Sequence, residues 1–357
     1  MRKLLRVLLI GILLVFLAGN VLAETIVLKV SDDHADGYPT VEALKFMGKV
    51  IETMTNGKYK FEVYPSAQLG SEKETVEQTI LGVIDVNRIS ISPLVTFYEP
   101  IGVFSMPYLF RDNEHMWKVL EGPIGEKLLK GLENAGLVGL CYYDSGARSF
   151  YTVKKPVNTP EDLKGMKIRV QKNPVMIALM EVLGASPVPM AFEEVYTALQ
   201  TGVIDGAENN PPSYYETRHF EVAKYYSLDG HTRIPEVVVV SKILWDQLSD
   251  EEKLIFKTAA LASTEYQRLL WKQWEDKAME EVQKEKKKPD ATILVPGQVG
   301  EKMRKNLQDI QKQVGKTNEG AEGILEEMEG NEDEGLDEDD ENNEDEDENF
   351  EEDEEDL

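Results

Sequence analysis

Hydrophobic and polar positions change period several times over the first hundred residues. Residues 26–30 and 59–64 read as β-strands, residues 40–55 repeat at helical spacing between them, residues 72–81 form a second helical stretch, and residues 85–91 read as a third strand. Such a β-α-β-α-β alternation predicts an α/β sheet with helices on its faces, which binds ligands beyond the carboxyl ends of its strands. The pattern resumes with a strand at 166–170, a helix at 174–183, a turn at 184–189, a helix at 192–201, a short strand at 203–207 and a β-branched run at 237–241. Residues 249–288 then run for 40 positions without Gly or Pro, and Ser249 with Glu252 fits a capping box. At 1.5 Å per residue that helix would be roughly 60 Å long, so it either crosses two domains or breaks. No internal repeat of fixed period is visible.

Length and charge divide the chain. Arg2, Lys3 and Arg6 precede an apolar run from Val7 to Ala18, and Val21-Leu22-Ala23 precedes Glu24. This run is shorter than the roughly 20 residues a membrane span needs, so residues 1–23 read as a cleaved signal peptide, with cleavage after Ala23 and a periplasmic product. The net charge of −27 belongs mostly to the other end, because residues 326–357 hold 22 Asp or Glu and no Lys or Arg. That tail is expected to be disordered, and its truncation after Leu325 to leave ligand affinity within about threefold. The body is only mildly acidic, which excludes a basic nucleic-acid footprint. About 300 residues between the ends exceed a typical single core, so two domains are expected. Cys141 is the only cysteine, which leaves no intramolecular disulfide, and Leu140 and Tyr142 beside it suggest a buried structural thiol.

The stretch from Tyr142 to Gln171 carries the candidate chemistry. Arg148 follows Ser145-Gly146 in an expected turn, and Arg169 sits in the alternating Lys167-Ile168-Arg169-Val170-Gln171. A guanidinium presents a planar fork that matches a carboxylate and stays charged when desolvated. Two arginines from different local contexts thus suggest a carboxylate grip, with surface roles as the alternative. Neither position reads as apolar core, so alanine at either is expected to spare the fold and to cost less binding at Arg148 than at Arg169.

Several motifs in order make the chain resemble the DctP-type solute-binding proteins of tripartite ATP-independent periplasmic (TRAP) transporters. They are Tyr64-Pro65-Ser66-Ala67-Gln68-Leu69-Gly70, Met106-Pro107-Tyr108-Leu109-Phe110, Leu163-Lys164-Gly165-Met166-Lys167-Ile168-Arg169-Val170, Pro189-Met190-Ala191-Phe192-Glu193-Glu194-Val195-Tyr196, and the run from Leu199 through Asp205-Gly206-Ala207-Glu208-Asn209. The resemblance implies an α/β, two-lobed periplasmic binding protein with crossing strands, a long helix spanning both lobes, and closure around an organic acid delivered to membrane permease subunits. It implies lobe I from residues 24–145 plus 234–270 and lobe II from 146–233 plus 271–325. It places the carboxylate-clamping arginine at Arg169, the second basic position at Arg148, the amide on the same carboxylate at Asn209 and the aromatic wall at Phe192, with Glu72 and Arg88 facing the ligand from lobe I. His34 and His231 are weaker candidates, each as suited to a structural hydrogen bond as to a ligand contact.

The Asp144–Tyr151 and Glu208–Tyr214 stretches, with Asn87-Arg88, look like the branch that takes hexuronates such as glucuronate and galacturonate. A sugar acid needs a cation at one end and mixed donors and acceptors for its hydroxyls at the other. A C4-dicarboxylate could use Arg88 as a second cation, so that alternative stays open. No cofactor, metal site or catalysis is expected, since HExxH, GxSxG, CxxC and P-loop patterns are absent. The remote alternative is a secreted hydrolase using Glu72 with Glu208.

Overall fold

The computed structural model describes residues 25–285 together with 292–294, 311–312 and 323–324. The expected signal peptide and acidic tail lie outside the described residues. Eleven strands are described, β1 (Ile26–Ser31), β2 (Tyr59–Tyr64), β3 (Val86–Ser90), β4 (Leu137–Tyr143), β5 (Arg148–Thr152), β6 (Lys167–Val170), β7 (Ser186–Pro189), β8 (Gly206–Asn209), β9 (Tyr225–Thr232), β10 (Glu236–Ser241) and β11 (Thr292–Leu294). They form one sheet of order β2-β1-β3-β10-β4 and a second of order β11-β9-β5-β8-β6-β7. The chain passes between the sheets at residues 144–147 and again at 233–235, because β4 and β10 belong to the first while β5 and β9 belong to the second.

Each sheet contains the same parallel unit, β2-β1-β3 in one and β7-β6-β8 in the other, built on the same β-α-β-α-β order. The likeness extends to local chemistry. Gly82-Val83-Ile84-Asp85 and Gly202-Val203-Ile204-Asp205 enter β3 and β8, with the two glycines at φ 74° and 72°. The Asp85 carboxylate accepts from the Lys29 amide at 2.7 Å, and that of Asp205 from the Lys167 amide at 3.0 Å. No fixed period betrays this duplication because the first helix of the unit has 16 residues (Pro39–Met54) in one copy and nine (Pro174–Val182) in the other.

Helix Asp250–Glu285 has 36 residues, about 54 Å at 1.5 Å per residue, and it does not break. Its start is held by the expected capping box, since the Ser249 amide donates to Glu252 at 2.8 Å and the Glu252 amide to Ser249 Oγ at 3.2 Å. Near that end, Phe256 and Ala260 pack with Leu28 and Val240 of the first sheet and Met47 of helix Pro39–Met54, whereas Val282 packs with Tyr151 and Tyr226 of the second sheet and Leu199 of helix Val195–Thr201. Midway, Gln267 accepts from the Asp144 amide at 2.9 Å and donates to the Asp144 carbonyl at 2.8 Å, satisfying both backbone groups where the chain crosses. Gly146 follows at φ 61°, and a Cβ there would lie 2.9 Å from Glu275 Oε1 and 3.2 Å from the Trp271 ring. The helix therefore splints both lobes against the first crossing. A further core joins the sheets directly, with Ile89, Phe104 and Trp117 in contact with a cluster that includes Phe150, Ile168 and Met176.

Two local expectations are corrected. Residues 186–189, expected as a turn, form edge strand β7, whose prolines are tolerated because it pairs with β6 on one side only. Arg148 is not in a turn but opens β5, since antiparallel pairing with β8 and β9 extends the chain from that residue onward.

A two-walled candidate binding cleft

A half-open cleft with about 320 Å³ of empty space, part of it open to solvent, lies among the start of helix Glu72–Ile80 and the segments that follow β3, β6 and β7. Glu72 and Lys73 line it from the first lobe, and Arg169, Gln171, Lys172 and Phe192 from the second. An acid cluster stands behind Glu72 on the first side, and a buried arginine without an acid partner stands on the second.

On the first wall, Arg88 is 1% exposed and sits among four carboxylates. Its guanidinium donates to Asp32 and Asp33 through Nη2, and through Nη1 to Glu236 at 2.5 Å and to Glu72 at 3.4 Å. Glu72 opens helix Glu72–Ile80, and its carboxylate also accepts from the Ser90 amide at 2.7 Å. One guanidinium cannot neutralise four acids. Burial, with the Asp33 charge, pushes Glu72 well above the usual carboxylate range, and burial likewise raises Glu236 against the pull of Arg88. Burial works to raise Asp33 too, but there the Arg88 charge prevails and the group stays low.

On the second wall, Arg169 is 2% exposed and donates through Nε and Nη2 to the Met190 carbonyl at 3.0 and 2.8 Å. Among the described residues it has no carboxylate partner, and burial lowers its pKa, so this cation is held ready for an anion rather than compensated by one. Arg148 differs. Its Nε and Nη2 grip Glu208 at 2.5 and 3.0 Å, Nη2 also meets the Glu208 carbonyl at 2.8 Å, and Nη1 meets Asn209 Oδ1 at 2.8 Å. Burial would raise Glu208, but Arg148 and His231 bring its pKa down to about 2. His231 stacks on Phe150 at 4.3 Å and bonds Asp229 through Nδ1 at 2.8 Å, with Nε2 3.7 Å from Glu208. Burial opposes its charge, yet the two acids raise its pKa to about 9.

Contacts between the lobes close one side of the cleft. His34 stacks on Tyr38 at 3.9 Å and meets the Phe192 ring edge-on at 5.3 Å, and Tyr38 Oη lies 3.1 Å from Ser213 Oγ. Burial lowers the His34 pKa to about 4, so the ring is neutral, and its Nδ1 has no protein partner. Gln171 Oε1 is likewise buried and unpartnered. Asn173 Nδ2 adds bonds to Ser105 at 2.8 Å and Ser92 at 3.1 Å.

Arg169, Phe192 and Glu72 thus line the cavity, Asn209 lies beside Arg148 at the end of β8, and His34 touches Phe192 across the lobes. Arg88 is held by four acids, with its Nε unpartnered, and His231 bonds Asp229 through Nδ1 while its Nε2 has no hydrogen-bond partner. Arg148, expected to be dispensable to the fold, is 3% exposed and is the counter-charge of a buried glutamate. Reading the sequence missed Asp32, Asp33, Glu236 and Asp229. The acid pair after β1 was a visible signal, but Glu236 reaches Arg88 only through the pairing of β10 with β3.

Two α/β lobes, two crossings, a splinting helix and a charged cleft define a two-lobed solute-binding protein. Residues 30–318 match the family described as bacterial extracellular solute-binding protein, family 7 (DctP), and the chain belongs to that family. It is a TRAP-type solute-binding protein, one of a family that works with membrane permease subunits. Among solved structures, one from Bradyrhizobium sp. btai1 in complex with α/β-D-galacturonate is 43% identical, with a TM-score of 0.79 over 86% of this chain and 99% of that one. One from Pseudomonas putida F1 with bound D-glucuronate is 38% identical, with a TM-score of 0.79 over 85% and 97%. The C4-dicarboxylate-binding periplasmic protein DctP of Rhodobacter capsulatus is 36% identical over 72% of this chain and 78% of its own. Among the described residues no helix is long and apolar enough to cross a membrane, and no group of metal-ligating side chains could hold an ion.

Proposed function

We propose that this protein captures a hexuronate, of which glucuronate and galacturonate are the type ligands, in the periplasm and delivers it for ion-gradient-driven uptake. One observation carries the assignment: a buried arginine without an acid partner shares a single cleft with Glu72, behind which an acid cluster holds Arg88. The ligand carboxylate goes to Arg169, helped by the Asn209 amide and the remaining Arg148 N–H. Its ring lies against Phe192, and its hydroxyls meet Glu72, Gln171 and His34. The relatives crystallised with galacturonate and glucuronate support this choice.

Closure follows from such a division of contacts. A ligand that touches both walls favours the closed arrangement by its differential affinity, with the two crossings and the long helix as hinge. We place the lobes at residues 24–145 plus 234–270 and 146–233 plus 271–325, and export at a signal cleaved after Ala23.

The C4-dicarboxylate alternative cannot use Arg88, which is already outnumbered by acids, and would draw its second cation from Lys73 or Lys172 on the cleft lining. The hydrolase alternative needs Glu208 free, yet both its oxygens are held by Arg148. Thermal-shift screening of the mature protein against hexuronates, dicarboxylates and aliphatic acids tests the proposal, since a ligand at 100 times its dissociation constant stabilises by about 2.7 kcal/mol. Stabilisation by succinate but by no hexuronate overturns it.

A further inference from the structure

Glu72 is the single carboxylate on the cleft lining, and its surroundings decide in which form it meets a ligand. Behind it one guanidinium, that of Arg88, holds the carboxylates of Asp32, Asp33, Glu236 and Glu72 itself. Their holds are unequal. Asp32 and Asp33 take Nη2 at close range and Glu236 takes Nη1 at 2.5 Å, whereas Glu72 stands 3.4 Å from Nη1. Other cations give little relief. His34 is neutral beside Asp33, Lys73 on the same helix and Lys172 from the second lobe are exposed to solvent, and Arg169 lies across the cleft on the Met190 carbonyl. The excess of acid reaches further still, since burial with the Asp33 and Asp32 charges raises Glu216 to about 7.

Four acids on one buried base do not all ionise, and Glu72, the one Arg88 holds most weakly, keeps its proton. The geometry also fixes where that proton sits. Both bonds that Glu72 accepts end on Oε1, one from the Ser90 amide at 2.7 Å and one from Arg88. Oε2 has no hydrogen-bond partner among the described residues, which leaves it to carry the O–H on the cleft lining. An ionised carboxylate only accepts hydrogen bonds, whereas this one donates. Gln171 lines the same cleft from the second lobe, and its Oε1 is buried without a partner. A hydroxyl between the two can accept from Glu72 and donate to Gln171, joining the lobes through one group.

We propose that Glu72 meets the ligand as a neutral carboxylic acid, its Oε2–H donating to a sugar hydroxyl whose own proton goes to Gln171, so that ionising Glu72 weakens capture. The contact rests on the hexuronate assignment for its ligand, whereas the neutral acid belongs to the unliganded protein and is read there. Infrared spectra of the full-length mature protein at pH 7 should show a protonated carboxyl band that Glu72→Gln removes. Calorimetry with galacturonate and glucuronate reads the contact. Wild-type affinity should fall as pH rises through the midpoint of that band, by up to about tenfold per pH unit, because the ionised form has lost its donor. Glu72→Gln, whose amide donates without a charge, should bind at least about fivefold more tightly than Glu72→Ala and show no such fall. Should Glu72→Ala not fold, the pH comparison of wild type with Glu72→Gln decides the contact. Absence of the band, or its survival in Glu72→Gln, overturns the neutral acid. Equal affinities of Glu72→Gln and Glu72→Ala, or a fall with pH that persists in Glu72→Gln, overturn the donor contact. If both hexuronates fail to bind while the band is present, the hexuronate assignment falls and the neutral acid stands.

Discussion

Replacing Arg169 with alanine removes the cation on which the proposed site depends. The guanidinium is 2% exposed, spends Nε and one Nη2 bond on the Met190 carbonyl, and has no carboxylate partner among the described residues. A ligand carboxylate docked there loses its counter-charge on mutation, and truncating one partner of such a buried pair costs about 2–5 kcal/mol, or about 30- to 5,000-fold in affinity. The fold should change little. The Met190 carbonyl loses its donors at a cost of about 1–3 kcal/mol. Against that, burial already disfavours this charge in the folded protein, as its lowered pKa shows. Arg169→Lys should also bind poorly, since an ammonium cannot both hold the Met190 carbonyl and fork onto a carboxylate. Calorimetry with galacturonate and glucuronate, beside circular dichroism and thermal melts of the unliganded variants, separates the two effects. Near-wild-type affinity in Arg169→Ala would mean that the carboxylate is held elsewhere and would refute the assignment.

Arg148→Ala should damage the fold rather than the site alone: stranding Glu208 in the core costs about 3–5 kcal/mol, and Arg148→Ala/Glu208→Gln should recover part of that stability in denaturant melts. His231 contributes stability through a folded pKa of about 9, above its ordinary 6.5. That contribution is complete below about pH 6.5 and is lost as pH rises through 9, so the stability gap between wild type and His231→Gln should be wide at pH 6 and narrow at pH 9.5, and a gap constant with pH would count against the charged imidazole. Gly146→Ala should lower the melting temperature by several degrees, as it combines a φ of 61° with a Cβ 2.9 Å from Glu275 Oε1, and an unchanged melt would show that the crossing can shift away from the helix.

Local pattern was sufficient for much of the fold. The parallel strands and their helices are short-range features written in apolar periodicity and caps, so β1, β2 and helix Pro39–Met54 were legible, as was the long helix from its Ser249–Glu252 box and its freedom from Gly and Pro. Arg169 was legible for the same reason, as a polar residue on one face of a short alternating strand. The state of the other charges was not. Arg88 and Glu236 are 148 positions apart and Arg148 and Glu208 are 60 apart, and only the antiparallel pairing of β10 with β3 and of β5 with β8 brings them within hydrogen-bond reach. Whether a buried guanidinium is free or already neutralised depends on which acids the sheets carry to it, a sum over distant chain segments. Three arginines alike in sequence thus become one open cation and two compensated ones only in the tertiary structure, because the Coulomb energy of each is set by distance in space and by burial.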